Sequence, residues 1–226
     1  MKSMATELLP TIEVETRPDP DAVVIWMHGL GADGNDFVPI VGELNLPADL
    51  GIRFVFPHAP TRPVTINGGY VMRAWYDIVG ADLTNRGDEN GIRDSQQRIG
   101  QLIAREKSRG IKASRIVLAG FSQGGVIALQ TGLRHPQRLA GIMALSTYLA
   151  MPQKLVAEAH QANRDIPIFM AHGTADPTIR LEWADASRRA LEAEGYKVEW
   201  HTYGMQHSVS LDEVRDIGAW LRKVLG

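Results

Sequence analysis

Short apolar runs alternate with amphipathic stretches along this chain. The runs VVIWM, RIVLA and PIFMA are almost continuously apolar, which is typical of strands covered on both faces of a sheet. The pattern predicts six strands, over residues 22–27, 52–56, 115–119, 139–145, 166–171 and 197–203. The amphipathic stretches predict four helices, over residues 94–108, 124–135, 180–194 and 209–224. This alternation predicts an α/β fold with a mostly parallel central sheet and helices on both faces.

Residues 61–91 do not fit the alternation. Glycine and proline punctuate the segment, yet it also carries Met72, Trp75 and Tyr76. Loops longer than about 12–15 residues usually serve a function or are disordered, and a solvated linker would not carry these apolar side chains. We therefore predict a long loop that folds over the end of the sheet and contributes an apolar wall to a site. The alternative interpretation is that Trp75 and Tyr76 cap the core.

The composition narrows the class of protein. The chain has 226 residues, 44% of them hydrophobic and 22% charged, so one domain over residues 1–226 is expected. Its 26 acidic and 24 basic side chains provide no basic field for binding nucleic acid. The absence of cysteine excludes disulfides, thiolate nucleophiles and cysteine-based zinc sites. Neither a secretory signal nor an apolar segment of about 18 residues is evident, so we expect a soluble, cytoplasmic protein without stable membrane insertion.

Residues 120–124 spell GFSQG, a match to the G-x-S-x-G motif. A predicted strand runs into the motif and a predicted helix runs out of it, which is the arrangement that lifts a nucleophilic serine above a sheet edge. Gly120 and Gly124 permit the tight turn because they have no side chains. Ser122 is therefore the candidate nucleophile, and the alternative is a serine that caps a helix N-terminus.

A serine nucleophile needs a base to accept its proton and a third group to orient that base. In this architecture the acid and then the histidine follow the serine, on loops after later strands. Asp176 lies just after the strand predicted over residues 166–171, and His207 lies between the last strand and the last helix. We therefore predict a triad of Ser122, Asp176 and His207. His28 and His172, which also lie at strand ends, are interpreted as structural.

Acyl transfer also needs two fixed N–H donors for the developing oxyanion. The backbone N–H of Gln123 follows the nucleophile at a helix N-terminus, and the glycine-rich loop after the first predicted strand places Leu30 as the second donor. Residues 29–34 also spell G-x-G-x-x-G, which is found in phosphate-binding loops. Pro39 interrupts the following segment and no acidic ribose partner lies about 20 residues on, so that alternative is weak.

Eight short blocks together resemble one enzyme family. In chain order they are HGLGADG, FPHAP-x-RPVT, WYD, ENGI, GFSQGG, NRDIPI, HG-x-x-D and GMQHSV, spread over residues 22–208. The set is similar to the carboxylesterase and acyl-protein thioesterase (phospholipase/carboxylesterase) family of α/β-hydrolases. Ala32 stands where the eukaryotic thioesterases have aspartate, which brings this block nearer to the bacterial carboxylesterases.

The resemblance implies an α/β-hydrolase fold with a minimal lid, no metal and no cofactor. It also implies a catalytic triad, two oxyanion donors and an acyl-binding loop over an apolar channel. Carried onto this sequence, these are Ser122, Asp176 and His207 for the triad, Leu30 and Gln123 for the oxyanion hole, and Val64, Met72, Trp75 and Ile179 for substrate binding.

The expected function is that of a serine carboxylesterase acting on short-to-medium-chain acyl esters. The alternative is an acyl-protein thioesterase or lysophospholipase of the same family, and the third interpretation is a non-catalytic binding module. Ala32 and the Pro177-Thr178-Ile179 segment, where the family often has two aliphatic residues, argue against a protein-thioester substrate. The expected partner is a small acyl ester or a lysolipid, and a homodimer is compatible with the resemblance.

Overall fold

The computed structural model describes residues 7–80 and 88–226. Seven strands form one sheet in which the first strand is antiparallel to its neighbour and the other neighbours run parallel. In chain order the strands are β1 (Thr11–Glu15), β2 (Ala22–Met27), β3 (Ile52–Pro57), β4 (Thr61–Val64), β5 (Tyr70–Arg73), β6 (Ile116–Phe121), β7 (Gly141–Leu145), β8 (Ile168–Gly173) and β9 (Val198–Tyr203). The order in the sheet is β1-β3-β2-β6-β7-β8-β9, while β4 and β5 form a separate hairpin.

In the part of the chain that it describes, the structure has five α-helices, of which four correspond to predicted helices and the short α3 was not predicted. They are α1 (Glu89–Ser108), α2 (Gln123–Arg134), α3 (Leu155–Glu158), α4 (Leu181–Ala193) and α5 (Leu211–Leu225). The Ser210 hydroxyl caps α5 by accepting from the N–H of Glu213, whose carboxylate accepts in turn from the Ser210 N–H. Within the described ranges, no helix combines the length and apolar character that a membrane span requires.

The core lies on both faces of the sheet. Every residue of β2 and β3 is buried, and successive side chains point to opposite faces. Ile25 belongs to an apolar layer with Ile99 of α1, whereas Trp26 belongs to a second layer with Trp220 of α5. This confirms the predicted doubly covered, mostly parallel sheet.

The edge strand β1 is absent from the sequence prediction because TIEVE gives no apolar run. Ion pairs hold it in place: Arg53 of β3 donates to Glu15 at 2.8 Å and to the buried Glu106 of α1 at 2.9 Å. Glu13 lies 3.8 Å from the same guanidinium. Backbone pairing with β3 from Thr11 to Glu15 completes the edge of the sheet, and Ile12 and Val14 pack against the core. The alternation of polar and apolar residues in TIEVE was the available local signal, but it is only five residues long.

The structure corrects the prediction of a loop without secondary structure over residues 61–91. Part of the segment is the β4–β5 hairpin, whose turn uses Gly68 and Gly69 at φ 67° and 80°, a region that favours glycine. The helix predicted from residue 94 begins at Glu89, because the Asp88 carboxylate accepts the Gly91 N–H at 2.9 Å and caps it. Residues 81–87 of the predicted loop lie outside the described residues.

Candidate active site

Ser122 lies in a sharp turn between β6 and α2. Its φ of 54° and ψ of −118° are rare for a residue with a side chain and cost on the order of 1–3 kcal/mol. A Cβ at position 120 would collide with the Gly124 carbonyl, and one at position 124 would collide with the Met27 carbonyl. The two motif glycines are therefore required by close backbone approach, and the turn lifts Ser122 to the carboxyl edge of the sheet.

Three elements bring the predicted triad residues together. His207, in the segment between β9 and α5, has Nε2 3.0 Å from Ser122 Oγ. Its Nδ1 lies 2.7 Å from Oδ2 of Asp176, in the segment after β8. Both distances are within hydrogen-bonding range, so the side chains form a continuous chain from hydroxyl to imidazole to carboxylate.

The Asp176 carboxylate is held by backbone groups as well as by His207. Its side chain is fully buried, and Oδ1 accepts the backbone N–H groups of Thr178 at 2.8 Å and Ile179 at 2.9 Å. These two bonds satisfy one oxygen and leave the other free to hold His207. The two backbone N–H groups and the imidazole therefore fix the orientation of the carboxylate from two sides.

His28 and His172 are held by backbone groups. His28 Nε2 accepts the Ala59 N–H at 3.0 Å while Nδ1 lies 2.7 Å from the Gly29 carbonyl, and burial lowers the pKa of His28 to about 4. His172 Nε2 lies 2.8 Å from the Ile179 carbonyl and 3.4 Å from Asp176, and burial lowers the pKa of this imidazole as well. Both rings are therefore neutral at pH 7, and each braces a loop beside the site.

The two predicted oxyanion donors lie beside the nucleophile. Gln123 is the first residue of α2, and Leu30 is in the loop after β2. Among the described residues, neither backbone N–H donates to a protein acceptor, so both are available to a ligand. Gly31, at φ 77°, donates its own N–H to the Arg73 carbonyl at 2.9 Å and fixes that loop. A 3-10 helix over Val38–Glu43 follows, whereas a phosphate-binding loop would open a long α-helix.

A cavity of about 550 Å³ opens above Ser122, within the range of small-molecule sites. Most of its wall is apolar. The lining includes the predicted triad residues Ser122 and His207 together with Leu30, Tyr76, Ile78, Phe121, Tyr148 and Ile179. An apolar cavity of this size can hold an acyl chain next to the Ser122 hydroxyl.

The structure brings only one of the four predicted substrate-binding residues to this wall. Ile179 lines the cavity, whereas Val64, Met72 and Trp75 do not. Val64 is fully buried in β4, Met72 Sδ accepts from the Asn67 amide at 3.6 Å, and the Trp75 indole donates to a backbone carbonyl. The three residues lie in the segment expected to form the wall. Their side chains point away from the cavity, because the hairpin and tertiary hydrogen bonds set their directions.

Sequence reasoning missed Tyr148 and Ile78 as wall residues. Tyr148 follows β7, and its hydroxyl lies 3.0 Å from that of Tyr76, across the wall of the cavity. Position at the carboxyl end of a central strand was the available signal, because such ends border the site in open α/β sheets. For Ile78 the sequence offers no indication of a place in the wall except that it lies two residues after Tyr76.

Comparisons with known proteins show which family the chain resembles over its length. The chain matches the phospholipase/carboxylesterase family model over residues 10–225. It is 41% identical over 213 residues to acyl-protein thioesterase 1 of Neurospora crassa, covering 90% of this chain and 87% of that protein. It is 36% identical over 219 residues to acyl-protein thioesterase 1 of Yarrowia lipolytica, covering 95% and 96% of the two chains. The solved structure of Zea mays acyl-protein thioesterase 2 superposes with a TM-score of 0.85 at 28% identity, covering 96% of this chain and all of the other.

Proposed function

Since the chain belongs to the phospholipase/carboxylesterase family of α/β-hydrolases and is a hydrolase of esters or thioesters, we propose that it cleaves acyl thioesters through an acyl-enzyme on Ser122. The observation that carries this proposal is the hydrogen-bonded series from Ser122 through His207 to Asp176 at the base of an apolar cavity. Residues 1–226 act as one catalytic unit in this proposal.

The first half-reaction acylates the enzyme. His207 Nε2 takes the proton of Ser122 Oγ as the oxygen bonds to the thioester carbonyl carbon. The Leu30 and Gln123 N–H groups donate to the oxyanion that forms. The oxyanion then collapses, the carbon–sulfur bond breaks, and the imidazolium protonates the departing thiolate. Asp176 stabilises the imidazolium and holds its orientation.

The second half-reaction releases the acid. His207 takes a proton from a water molecule as the water oxygen attacks the acyl-enzyme carbonyl, and the same two N–H groups hold the second oxyanion. Collapse breaks the bond to Ser122 Oγ, which recovers a proton from the imidazolium. The free enzyme and a carboxylic acid result, so no other reactant is consumed.

A thioester substrate is favoured over the short-to-medium-chain acyl ester expected from the sequence. The relatives that are 36% and 41% identical over nearly the whole chain are named acyl-protein thioesterase 1. The two sequence departures that argued against a thioester are Ala32 and the Pro177-Thr178-Ile179 segment, and Ala32, Thr178 and Ile179 line the cavity. Thr178 and Ile179 contact Asp176 through backbone N–H groups, which other residue types at these positions would also supply. The departures therefore bear on the shape of the wall more than on the attack on a thioester.

The test compares leaving groups at a constant acyl chain. The octanoyl thioester of a cysteine-containing peptide, the octanoyl ester of the matching serine peptide and an octanoyl lysophospholipid are assayed with the purified protein. We expect the thioester to have the highest kcat/KM, by about tenfold or more, and Ser122→Ala to abolish turnover of all three. A higher kcat/KM for the serine ester would favour a carboxylesterase, and a higher value for the lysolipid would favour a lysophospholipase. A homodimer stays a prediction, which light scattering of the purified chain tests.

A further inference from the structure

We propose that Trp75 is a positioning residue that holds the two oxyanion donors at a fixed separation. The inference rests on the proposed function, because it concerns the N–H groups of Leu30 and Gln123. These groups come from different elements, the loop after β2 and the start of α2. Trp75 is fully buried and is bonded toward both of them, although it lies outside the cavity wall.

The first contact joins Trp75 to the nucleophile turn. The Gln123 side chain accepts the Trp75 backbone N–H through Oε1 at 3.0 Å and donates through Nε2 to the Tyr76 carbonyl at 2.9 Å. The amide thus bonds to the backbone on both sides of the peptide that joins Trp75 to Tyr76. The residue whose backbone N–H is one oxyanion donor is therefore tied by its side chain to Trp75.

The second contact joins Trp75 to the other donor loop. The indole Nε1 donates to the His28 carbonyl at 2.9 Å, and the two rings lie 5.4 Å apart. The His28 carbonyl belongs to the peptide that enters Gly29, so this bond fixes the chain directly before Leu30. The Ser95 hydroxyl of α1 also donates to the Trp75 carbonyl and anchors the residue from behind.

Together these bonds connect the two donors through Trp75. Its backbone N–H bonds to the Gln123 side chain, and its indole bonds to the His28 carbonyl at the start of the loop that carries Leu30. Oxyanion donors act only when they lie about 2.7–3.1 Å from the developing charge, and a displacement of about 1 Å can cost on the order of 100-fold in rate. Loosening these bonds should thus weaken binding of the transition state while leaving the apolar wall, and so substrate binding, largely intact.

The experiment compares Trp75→Phe with a matched control, Trp26→Phe. Trp26 is also a buried tryptophan, but among the described residues its indole N–H has no hydrogen-bond partner. Both variants lose the same ring volume from the core, and only Trp75→Phe loses a bond to the donor loop. The measurements are kcat and KM for the octanoyl thioester, Ki for an octyl trifluoromethyl ketone and the midpoint of urea unfolding.

For Trp75→Phe we expect kcat to fall 10- to 100-fold, KM to stay within threefold, and Ki of the ketone to rise at least tenfold, because its tetrahedral adduct places an oxyanion in the hole. For Trp26→Phe we expect a comparable fall in the unfolding midpoint with kcat within threefold of the wild type. Ser95→Ala, which removes one hydroxyl, is the milder variant should Trp75→Phe not fold, and it should lower kcat two- to tenfold at unchanged KM.

Equal kcat for Trp75→Phe and Trp26→Phe would overturn the proposal. A raised KM with wild-type kcat in Trp75→Phe would also overturn it, because that result means that Trp75 shapes the wall that binds substrate. Wild-type kcat in Ser95→Ala would also count against it. Failure of the underlying function has a different signature, because Ser122→Ala would then keep its activity. Loss of activity in Ser122→Ala together with a normal Trp75→Phe overturns the positioning role alone.

Discussion

Ser122 adopts a backbone conformation that suits glycine better than serine. Its φ of 54° with ψ of −118° imposes a cost of about 1–3 kcal/mol on any residue with a Cβ. Ser122→Ala and Ser122→Gly both remove the nucleophilic oxygen, and they differ only in that Cβ. We therefore expect Ser122→Gly to be at least as stable as Ser122→Ala, which reverses the usual effect of glycine.

The size of the effect follows from three contributions. Relief of strain gains about 2 kcal/mol. Loss of one buried methyl group costs about 0.8 kcal/mol, and the greater freedom of glycine in the unfolded chain costs about 0.5–1 kcal/mol. The net gain is about 0.5 kcal/mol. At Ala104, an exposed position within α1, the same Ala-to-Gly change should cost about 1 kcal/mol.

Calorimetry of Ser122→Ala, Ser122→Gly and Ala104→Gly measures both differences. The effect of replacing alanine by glycine on the free energy of unfolding should differ by about 1.5 kcal/mol between positions 122 and 104. For a chain of this length that difference corresponds to about 3–6 °C in Tm. If glycine at position 122 lowers Tm as much as glycine at position 104, the nucleophile turn is unstrained and the reasoning fails.

Further predictions concern the acid of the triad and two buried titratable groups. Asp176→Asn should lower kcat by about 10³–10⁴-fold, since it replaces the carboxylate that orients His207; wild-type kinetics would remove Asp176 from the triad. Burial raises the pKa of Glu213 from 4.5 to about 8, so the native state keeps a proton that the unfolded state releases, and stability is lost as pH rises between these values. Glu213→Gln should therefore gain on the order of 5 kcal/mol over the wild type at pH 8.5 but not at pH 4.5, and urea unfolding that shows the same gap at both would contradict this. Burial lowers the pKa of His28 to about 4, so between pH 6.5 and 4 the unfolded state binds a proton that the native imidazole does not, and the free energy of unfolding falls as pH falls. His28→Asn should make the free energy of unfolding, measured by urea, less dependent on pH in this range.

Much of the fold and the nucleophile turn could be predicted from the sequence because their signals are local. VVIWM is apolar throughout since β2 is buried on both faces, and that is visible without any contact. Gly120 and Gly124 flank Ser122 because the backbone leaves no room for a Cβ. The order of Asp176 and His207 after Ser122 follows from the order of strands whose carboxyl ends share one edge.

The remainder depends on contacts between segments far apart in the chain. Glu13 and Glu15 read as polar surface positions, yet β1 pairs with β3 along its length and both carboxylates meet Arg53 of that strand. The family resemblance places Trp75 in an acyl-binding loop, and the alternative was that it caps the core; the side chain is fully buried and does not line the cavity. Its indole points instead to the His28 carbonyl, a direction that no periodicity encodes. Side chains in irregular segments are placed by tertiary hydrogen bonds, and these are the features that sequence reasoning could not supply.

In the proposed mechanism Ser122 carries the acyl group during hydrolysis of a thioester. Acid-quenched intact-mass spectrometry of the protein mixed with the octanoyl thioester, followed by peptide mapping, detects this acyl-enzyme. We predict an octanoyl adduct on Ser122 that forms within the first turnover and disappears once substrate is exhausted, and no adduct or turnover in Ser122→Ala. An adduct on another residue, or thioester hydrolysis by Ser122→Ala at the wild-type rate, would contradict the account.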